Sequence, residues 1–507
     1  MSSSPTRQES HPAAWPAFGS LVIGFFMILL DATIVTVAMP RLMADLHASI
    51  TDAVWVTSAY LLACAVPLLI TGRLGDRLGP KRVYLAGLAV FTVSSLWCGL
   101  SGDIGMLILA RAVQGFGAAL MSPQTMSVIT RLFPPDRRGM AMGLWGSVAG
   151  VATAIGPIAG GLIVDGLGWE WIFFVNVPVG IIGFLAVLRF VPNLETTSRK
   201  LDWIGVALSA IAMFCIVFAL QEGARHEWGS VPITIGDAAI AVPLVPTLVL
   251  GTIVLAVFIW WQTRADEPLV PLALFRERNF TGANITIMMI GAISASIMIP
   301  IMLYAQDVLG LTPTEAAMVV LPSAVIGFFG APIVGRLQRS VSNRLLASIG
   351  VISFTLSSLW YAFAFIPNQS VWMLVAVSAL MGVANSFTWG PTSTTAMRDI
   401  SPSLSGAASG VYNTTRQTGS VVGTAALTSV MSARIAANLD ERGVDAGSTG
   451  QIEAASGGAD LSSAPPEMTA AYAAGLGEAM LLLVALGVIG SLSIFIWEPY
   501  RRSTEKA

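Results

Sequence analysis

The chain has 507 residues; 55% are hydrophobic, only 11% are charged, and the net charge is −2. Its mean hydropathy is +0.75. Soluble domains carry about 25% charged residues, so a water-soluble globular fold is excluded, and a balanced charge offers nucleic acid no basic surface.

Apolar windows of about 20 residues, each long enough for a bilayer core, recur along the whole chain. They fall at about 15–39, 52–71, 83–100, 105–127, 140–164, 171–191, 203–220, 243–262, 280–304, 315–335, 345–365, 371–393, 405–433 and 473–496. Fourteen spans are therefore expected, all helical, because hydrocarbon leaves a backbone no partner but itself. The fold class is an all-α polytopic membrane protein. A polar tail, 1–14, precedes the first span. That span is too long for a signal-peptide core and reads as uncleaved.

The first span contains LLDATIVTVAMP, Leu29 to Pro40, with Asp31 set in an apolar run and no Lys or Arg beside it. The second span carries Trp55 and Tyr60. After it comes GRLGDRLGPKRV. Gly72, Gly75 and Gly79 allow a tight turn and close helix approach. Asp76 is suited to accept bonds from a helix N-terminus or an arginine. Arg77, Lys81 and Arg82 suit the anionic cytoplasmic leaflet. This pattern reads as a latch.

The fourth span, LILARAVQGFGAAL, places Arg111 inside the membrane. A cation near a span's centre costs about 3 kcal/mol on insertion scales and needs a partner. Asp31 is the expected one, with Gln114 one turn on. The fifth span ends in AIGPIAGG, where Gly156, Pro157, Gly160 and Gly161 permit close packing against another helix. WEWIFFVNVPVG follows; its Trp residues suit the interface, and Asn176 and Pro178 shape the start of the sixth helix. The thirteenth span contains YNTTRQTG, with Arg416 accompanied by no acid in its own span. Pairing with carbonyls or hydroxyls such as Thr414, or exposure to a cavity, are its two readings. No other acid stands within a span as clearly as Asp31. Cys64, Cys98 and Cys215 lie in apolar runs as small core residues. His11, His47 and His226 are scattered, and no metal-ligand cluster is expected.

Basic residues fix the orientation. Of the 27 Lys and Arg, 21 fall in the tails and loops on the N-terminal side, four on the other side (Arg41, Arg225, Arg434, Arg442), and Arg111 and Arg416 within spans. Both termini are expected in the cytoplasm. The Gly- and Ser-rich outer loop, about 434–472, reads as a flexible tether.

GRLQRSVSNRLL, from Gly335, is a weaker copy of the Gly72 segment, and both follow the second span of a six-span block. Two six-helix bundles are expected, at 15–191 and 280–496, with an extra helix pair at 203–262 between them and a tail at 497–507. Repeats of this kind bind substrate near the midplane and rock about it.

Together these segments resemble the fourteen-span drug:proton antiporter family of the major facilitator superfamily, over nearly the whole chain. The resemblance rests on LDATIVTVAMP, GRLGDRLGPKRV, LILARAVQGFGAAL, the Gly156–Gly161 run, WEWIFFVNVPVG and YNTTRQTG. Pro80 departs from the pattern where a basic residue is usual, as do Thr36 for Asn and Glu170 for Arg. The resemblance implies proton coupling at Asp31, Arg111 and Gln114, gating at Asp76, and efflux of amphipathic drugs, dyes or antibiotics. It implies a proton gradient as energy source, with no cofactor and no metal. Trp55, Tyr60, Asn385, Trp389 and Arg416 are expected cavity residues. The expected partners are lipophilic small molecules, protons and the bilayer, with the chain acting as a monomer. Arg outnumbers Lys 24 to 3, as in high-GC bacterial genomes, so the expected membrane is a bacterial cytoplasmic one. The alternative is a dedicated exporter of an endogenous metabolite, such as a self-made antibiotic or siderophore. An enzyme is not expected, since no catalytic cluster is present.

Overall fold

The computed structural model describes residues 14–48, 50–196, 201–223, 226, 228–235, 238–401, 404–442 and 465–498. It is a bundle of long helices. The first group is α1 (Ala14–Asp45), α2 (Ile50–Ala65), α3 (Leu68–Leu78), α4 (Pro80–Gly99), α5 (Ile104–Leu132), α6 (Pro135–Leu167), α7 (Trp171–Phe174) and α8 (Asn176–Phe190). Then come α9 (Trp203–Gly223), a hairpin of β1 (Ser230–Ile235) and β2 (Ala238–Pro243), and α10 (Leu244–Gln262). The last group is α11 (Arg278–Ser296), α12 (Met298–Leu303), α13 (Pro313–Leu337), α14 (Asn343–Ala364), α15 (Val371–Met397), α16 (Ser405–Glu441) and α17 (Pro466–Ser493).

A helix stands at each of the fourteen expected windows. Among the described residues, twelve helices are long and apolar enough to cross a membrane, and a thirteenth span is a pair bent by 47° between Trp55–Ala65 and Leu68–Leu78. The remaining window, 140–164, lies on α6, several of whose side chains, Pro157 among them, fall outside the described residues.

Local chemistry explains the boundaries. The Asp103 carboxylate caps α5 by accepting from Met106 N at 2.8 Å. Thr312 and Glu315 form a reciprocal capping box at α13. Pro80 occupies the first turn of α4 after Gly79, whose φ is +90°. Proline suits that helical position because its missing N–H has no partner there anyway. Gly79 suits the turn because other residues rarely adopt its φ.

Two expectations need correction. Gly72 to Leu78 are helical rather than loop, because close packing continues the helix where hydrophobicity ends. The thirteenth helix runs to Glu441, so the outer tether is shorter than 434–472; of that tether, 443–464 lie outside the described residues. The all-α class holds, with one local addition: a β1–β2 hairpin whose apolar strands pair Ser230 with Pro243 through Ile235 with Ala238.

Helices α1, α2, α4, α5, α6 and α8 pack on one another, as do α11 and α13 to α17. The two groups meet through glycines. A Cβ on Gly335 would lie 2.6 Å from Met140 Cα, and one on Gly146 would lie 2.3 Å from Trp389 Cβ. These contacts, and those of Gly72 described below, sit at the ends nearest the Arg-rich loops. Helices α9 and α10 form a pair, with α9 against α2, α3 and α16.

Candidate functional site

Asp31 lies on α1 with no exposed surface, and Arg111 on α5 is buried just as completely. Arg111 Nη1 donates to Asp31 Oδ2. Gln114 Nε2 donates to the other oxygen, Oδ1, at 3.0 Å. The helical spacing explains the trio, since residues three apart share a face. Arg111 Nη1 also donates to Gln114 Oε1 at 2.7 Å, and its Nε donates to the Val56 carbonyl at 3.2 Å. The guanidinium carbon stands 4.1 Å above the Tyr60 ring, a cation–π contact in a water-poor site. Nη2 has no hydrogen-bond partner among the described residues.

One residue of this cluster was not foreseen in its role. Asn176, at the start of α8, donates from Nδ2 to Asp31 Oδ1 at 3.0 Å. The same group lies 3.1 Å from Ser95 Oγ, and Ser95 donates to the Phe173 carbonyl at 3.0 Å. The signal was present: an amide beside a proline at a span's start. Its target on another helix was not. The carboxylate is thus held from α5 and α8 at once.

Tyr60, expected to line a cavity, instead forms a wall of this cluster, and its hydroxyl donates to the Ile28 carbonyl at 3.1 Å. Trp55 packs against Phe218 of α9 with the rings tilted by 32° and their centroids 5.9 Å apart. Trp389 donates to Asn385 Oδ1 at 3.2 Å and abuts Gly146. Arg416 Nε and Thr414 Oγ1 are both buried without a partner among the described residues, so that hydroxyl does not hold the guanidinium. A second buried acid was missed: Asp307, in a π-helical turn, Tyr304–Val308, accepts from the Tyr472 hydroxyl at 2.8 Å.

A separate cluster surrounds Asp76. Its Oδ1 accepts from Gly406 N and its Oδ2 from Ala407 N, each at 2.9 Å, at the first turn of α16. Arg131 pairs with Asp76 Oδ1 and donates to Ser405 Oγ at 2.8 Å. A Cβ on Gly72 would lie 2.4 Å from the Gly406 carbonyl. The other basic residues of the segment divide: Lys81 Nζ donates to the Leu188 carbonyl at 2.9 Å, and Arg73 Nε to the Leu269 carbonyl at 2.9 Å.

In the Gly156–Gly161 run, Gly156 is closely packed, with a Cβ there 2.0 Å from Thr33 Oγ1. Gly161 faces open space, so only part of the run makes the expected helix contact. Gly160 is buried. Of the flanking tryptophans, Trp171 is exposed as expected of an interface residue, whereas Trp169 is buried.

The family model described as Major Facilitator Superfamily matches residues 21–424. An uncharacterised MFS-type transporter of Mycobacterium tuberculosis is 44% identical over 94% of this chain and 80% of its own length. The tetracenomycin C resistance and export protein of Streptomyces glaucescens is 33% identical over 83% of this chain and 76% of its own. A multidrug export protein of Escherichia coli is 30% identical over 82% and 80%. Among solved structures, a proton:xylose symporter bound to a sugar analogue superposes with a TM-score of 0.61 at 12% identity, covering 95% of each chain.

Proposed function

The chain belongs to the major facilitator superfamily, and from that premise we propose that it is a proton-driven exporter of lipophilic drugs, dyes or antibiotics. The carrying observation is the fully buried Asp31, held by Arg111, Gln114 and Asn176. A carboxylate at such depth is costly unless paired, and its network spans three helices of one group.

In this reading Asp31 carries the proton. Desolvation favours the neutral form of a carboxyl, while a guanidinium and donated hydrogen bonds favour the charged form. A rearrangement that draws Arg111 away from Asp31 exchanges one environment for the other. The proton enters from outside, where drug leaves, and is released to the cytoplasm, where drug binds. One charge crossing about 100 mV supplies ~2.3 kcal/mol, roughly a 50-fold concentration ratio. Asp76 and Arg131 hold the two helix groups together at the Arg-rich end, which we place in the cytoplasm from the charge asymmetry. The chain acts as a monomer in the bacterial cytoplasmic membrane and takes only the proton gradient as its energy source.

The export names carried by relatives support this reading. The tetracenomycin C relative also favours a second: export of one endogenous antibiotic or similar metabolite. The test is ethidium transport in proteoliposomes under an imposed pH gradient, with wild type beside Asp31→Asn. The proposal expects uphill dye movement by wild type and none by the variant. Equal movement by both removes Asp31 from coupling. Failure of folded wild type across a broad panel of drugs favours the single-metabolite reading.

A further inference from the structure

Of the two arginines inside the spans, only Arg111 is paired with an acid among the described residues, and that acid is Asp31. Arg416, on α16, has its Nε buried without a partner, and its guanidinium enters no hydrogen bond or ion pair among the described residues. The ionisable side chains that act on its charge are Cys64 and Tyr412, neither of them a carboxylate. The backbone here packs tightly on α11, where a Cβ on Gly291 would lie 2.4 Å from the Arg416 carbonyl oxygen.

The place of this cation in the fold is that of a ligand site. Arg416 stands about 15 Å along α16 from Gly406, at 1.5 Å per residue, which is half the depth of a ~30 Å hydrocarbon core. Its charge reaches from α16, in the last helix group, to Cys64 on α2, in the first. Protein surrounds it at this depth, yet the residue keeps accessible surface. It therefore borders a space inside the protein rather than lipid. An uncompensated cation in a span is costly and marks function, because its desolvation goes unrepaid without a counter-charge. The chain supplies none there, so a ligand must. Nε–H and the neighbouring Nη–H form the edge of a guanidinium that matches both oxygens of a carboxylate, and no described residue occupies that edge. Low-dielectric surroundings penalise a small, strongly hydrated anion more than one whose charge sits on an apolar body.

We propose that Arg416 receives the carboxylate of a lipophilic organic monoanion in the space between the two helix groups, and so selects anionic substrates. Calling that anion a substrate rests on the export reading; its binding at Arg416 does not. An inorganic anion such as chloride brings the same charge without the apolar body, and the experiment separates the two.

The test is equilibrium dialysis of radiolabelled naphthoate against full-length protein in phosphatidylcholine nanodiscs, in chloride-free buffer, with empty discs subtracted. Wild type is expected to show one saturable site per chain. Naphthamide, of the same shape but uncharged, is expected to compete at least about tenfold less well than unlabelled naphthoate, since bonds to a charged group are the stronger ones. Arg416→Gln is expected to weaken naphthoate binding roughly ten- to hundredfold. Arg416→Lys keeps the charge and loses the fork, and is expected to recover part of that loss. Arg434→Gln, which removes an exposed cation paired with Glu478, is expected to bind as wild type does. Chloride at about 0.15 M is expected to leave the affinity within about twofold. Absence of saturable binding, equal competition by naphthamide, unchanged affinity in Arg416→Gln, or displacement by chloride each overturns the proposal. The contrast of naphthoate with naphthamide on wild type decides even where Arg416→Gln does not fold. Proteoliposomes of the same protein separate the two failures. Naphthoate binding with no transport of naphthoate or ethidium sinks the export reading alone, and ethidium transport without naphthoate binding sinks the anion site alone.

Discussion

Asp76 caps a helix of the other group, accepting the N–H of Gly406, 330 residues later in the chain, at 2.9 Å. The carboxylate does across the two helix groups what a capping residue does within one helix, and the positive end of α16 adds to the attraction. Arg131 completes the clasp by touching both Asp76 and Ser405.

Asp76→Asn is therefore expected to weaken the clasp by about 1.5–3 kcal/mol, the worth of hydrogen bonds to a charged group. That shifts the balance between closed and open arrangements by roughly 10- to 100-fold. Spin labels on α3 and α16 near the loops will read the change as a longer distance population. Arg131→Ala should produce the same shift, and the double variant should add little, since both residues act through one network.

Gly72→Ala tests the close approach itself. The added methyl would meet the Gly406 carbonyl at 2.4 Å, and backbone cannot swing aside as a side chain can. Overpacking of this kind costs typically about 1–3 kcal/mol. Transport should fall and the Arg-rich end should become accessible to a water-soluble thiol reagent at an introduced cysteine. Unchanged accessibility would show that the helices slide without cost.

At the buried acid, Arg111→Ala leaves a carboxylate without its cation and is expected to destabilise the protein by about 3–5 kcal/mol, seen as loss of folded material in detergent. Arg111→Lys retains charge but forfeits the fork that reaches Asp31, Gln114 and Val56, and guanidinium and ammonium are not interchangeable at such a site. It should fold and lose gradient-driven transport.

Asn176→Ala separates coupling from architecture. It removes one of the donors to Asp31, a bond worth about 1.5–3 kcal/mol when the acceptor is charged. Gradient-driven dye uptake should drop at least several-fold, while dye exchange without a gradient persists. Parallel loss of both would make Asn176 a packing residue.

Asp307→Asn is expected to be mild. An amide still accepts from the Tyr472 hydroxyl, which is the bond Asp307 makes now, so gradient-driven transport should stay near the wild-type rate. Its abolition would identify Asp307 as a second coupling acid.

Much of this was readable from the chain alone, because it is local. Span length and hydropathy depend only on successive residues, so a helix stands at each expected window. A charge in hydrocarbon demands a partner, so Asp31 implied Arg111, and the three-residue spacing implied Gln114. What the chain could not disclose is which surfaces adjoin. Asn176 reaches Asp31 only because α8 packs on α1; Tyr60 became a wall rather than a lining because α2 packs on α5. The close contacts themselves, Gly72 on Gly406 and Gly335 on Met140, join positions hundreds of residues apart, where sequence spacing carries no signal and tertiary packing alone decides.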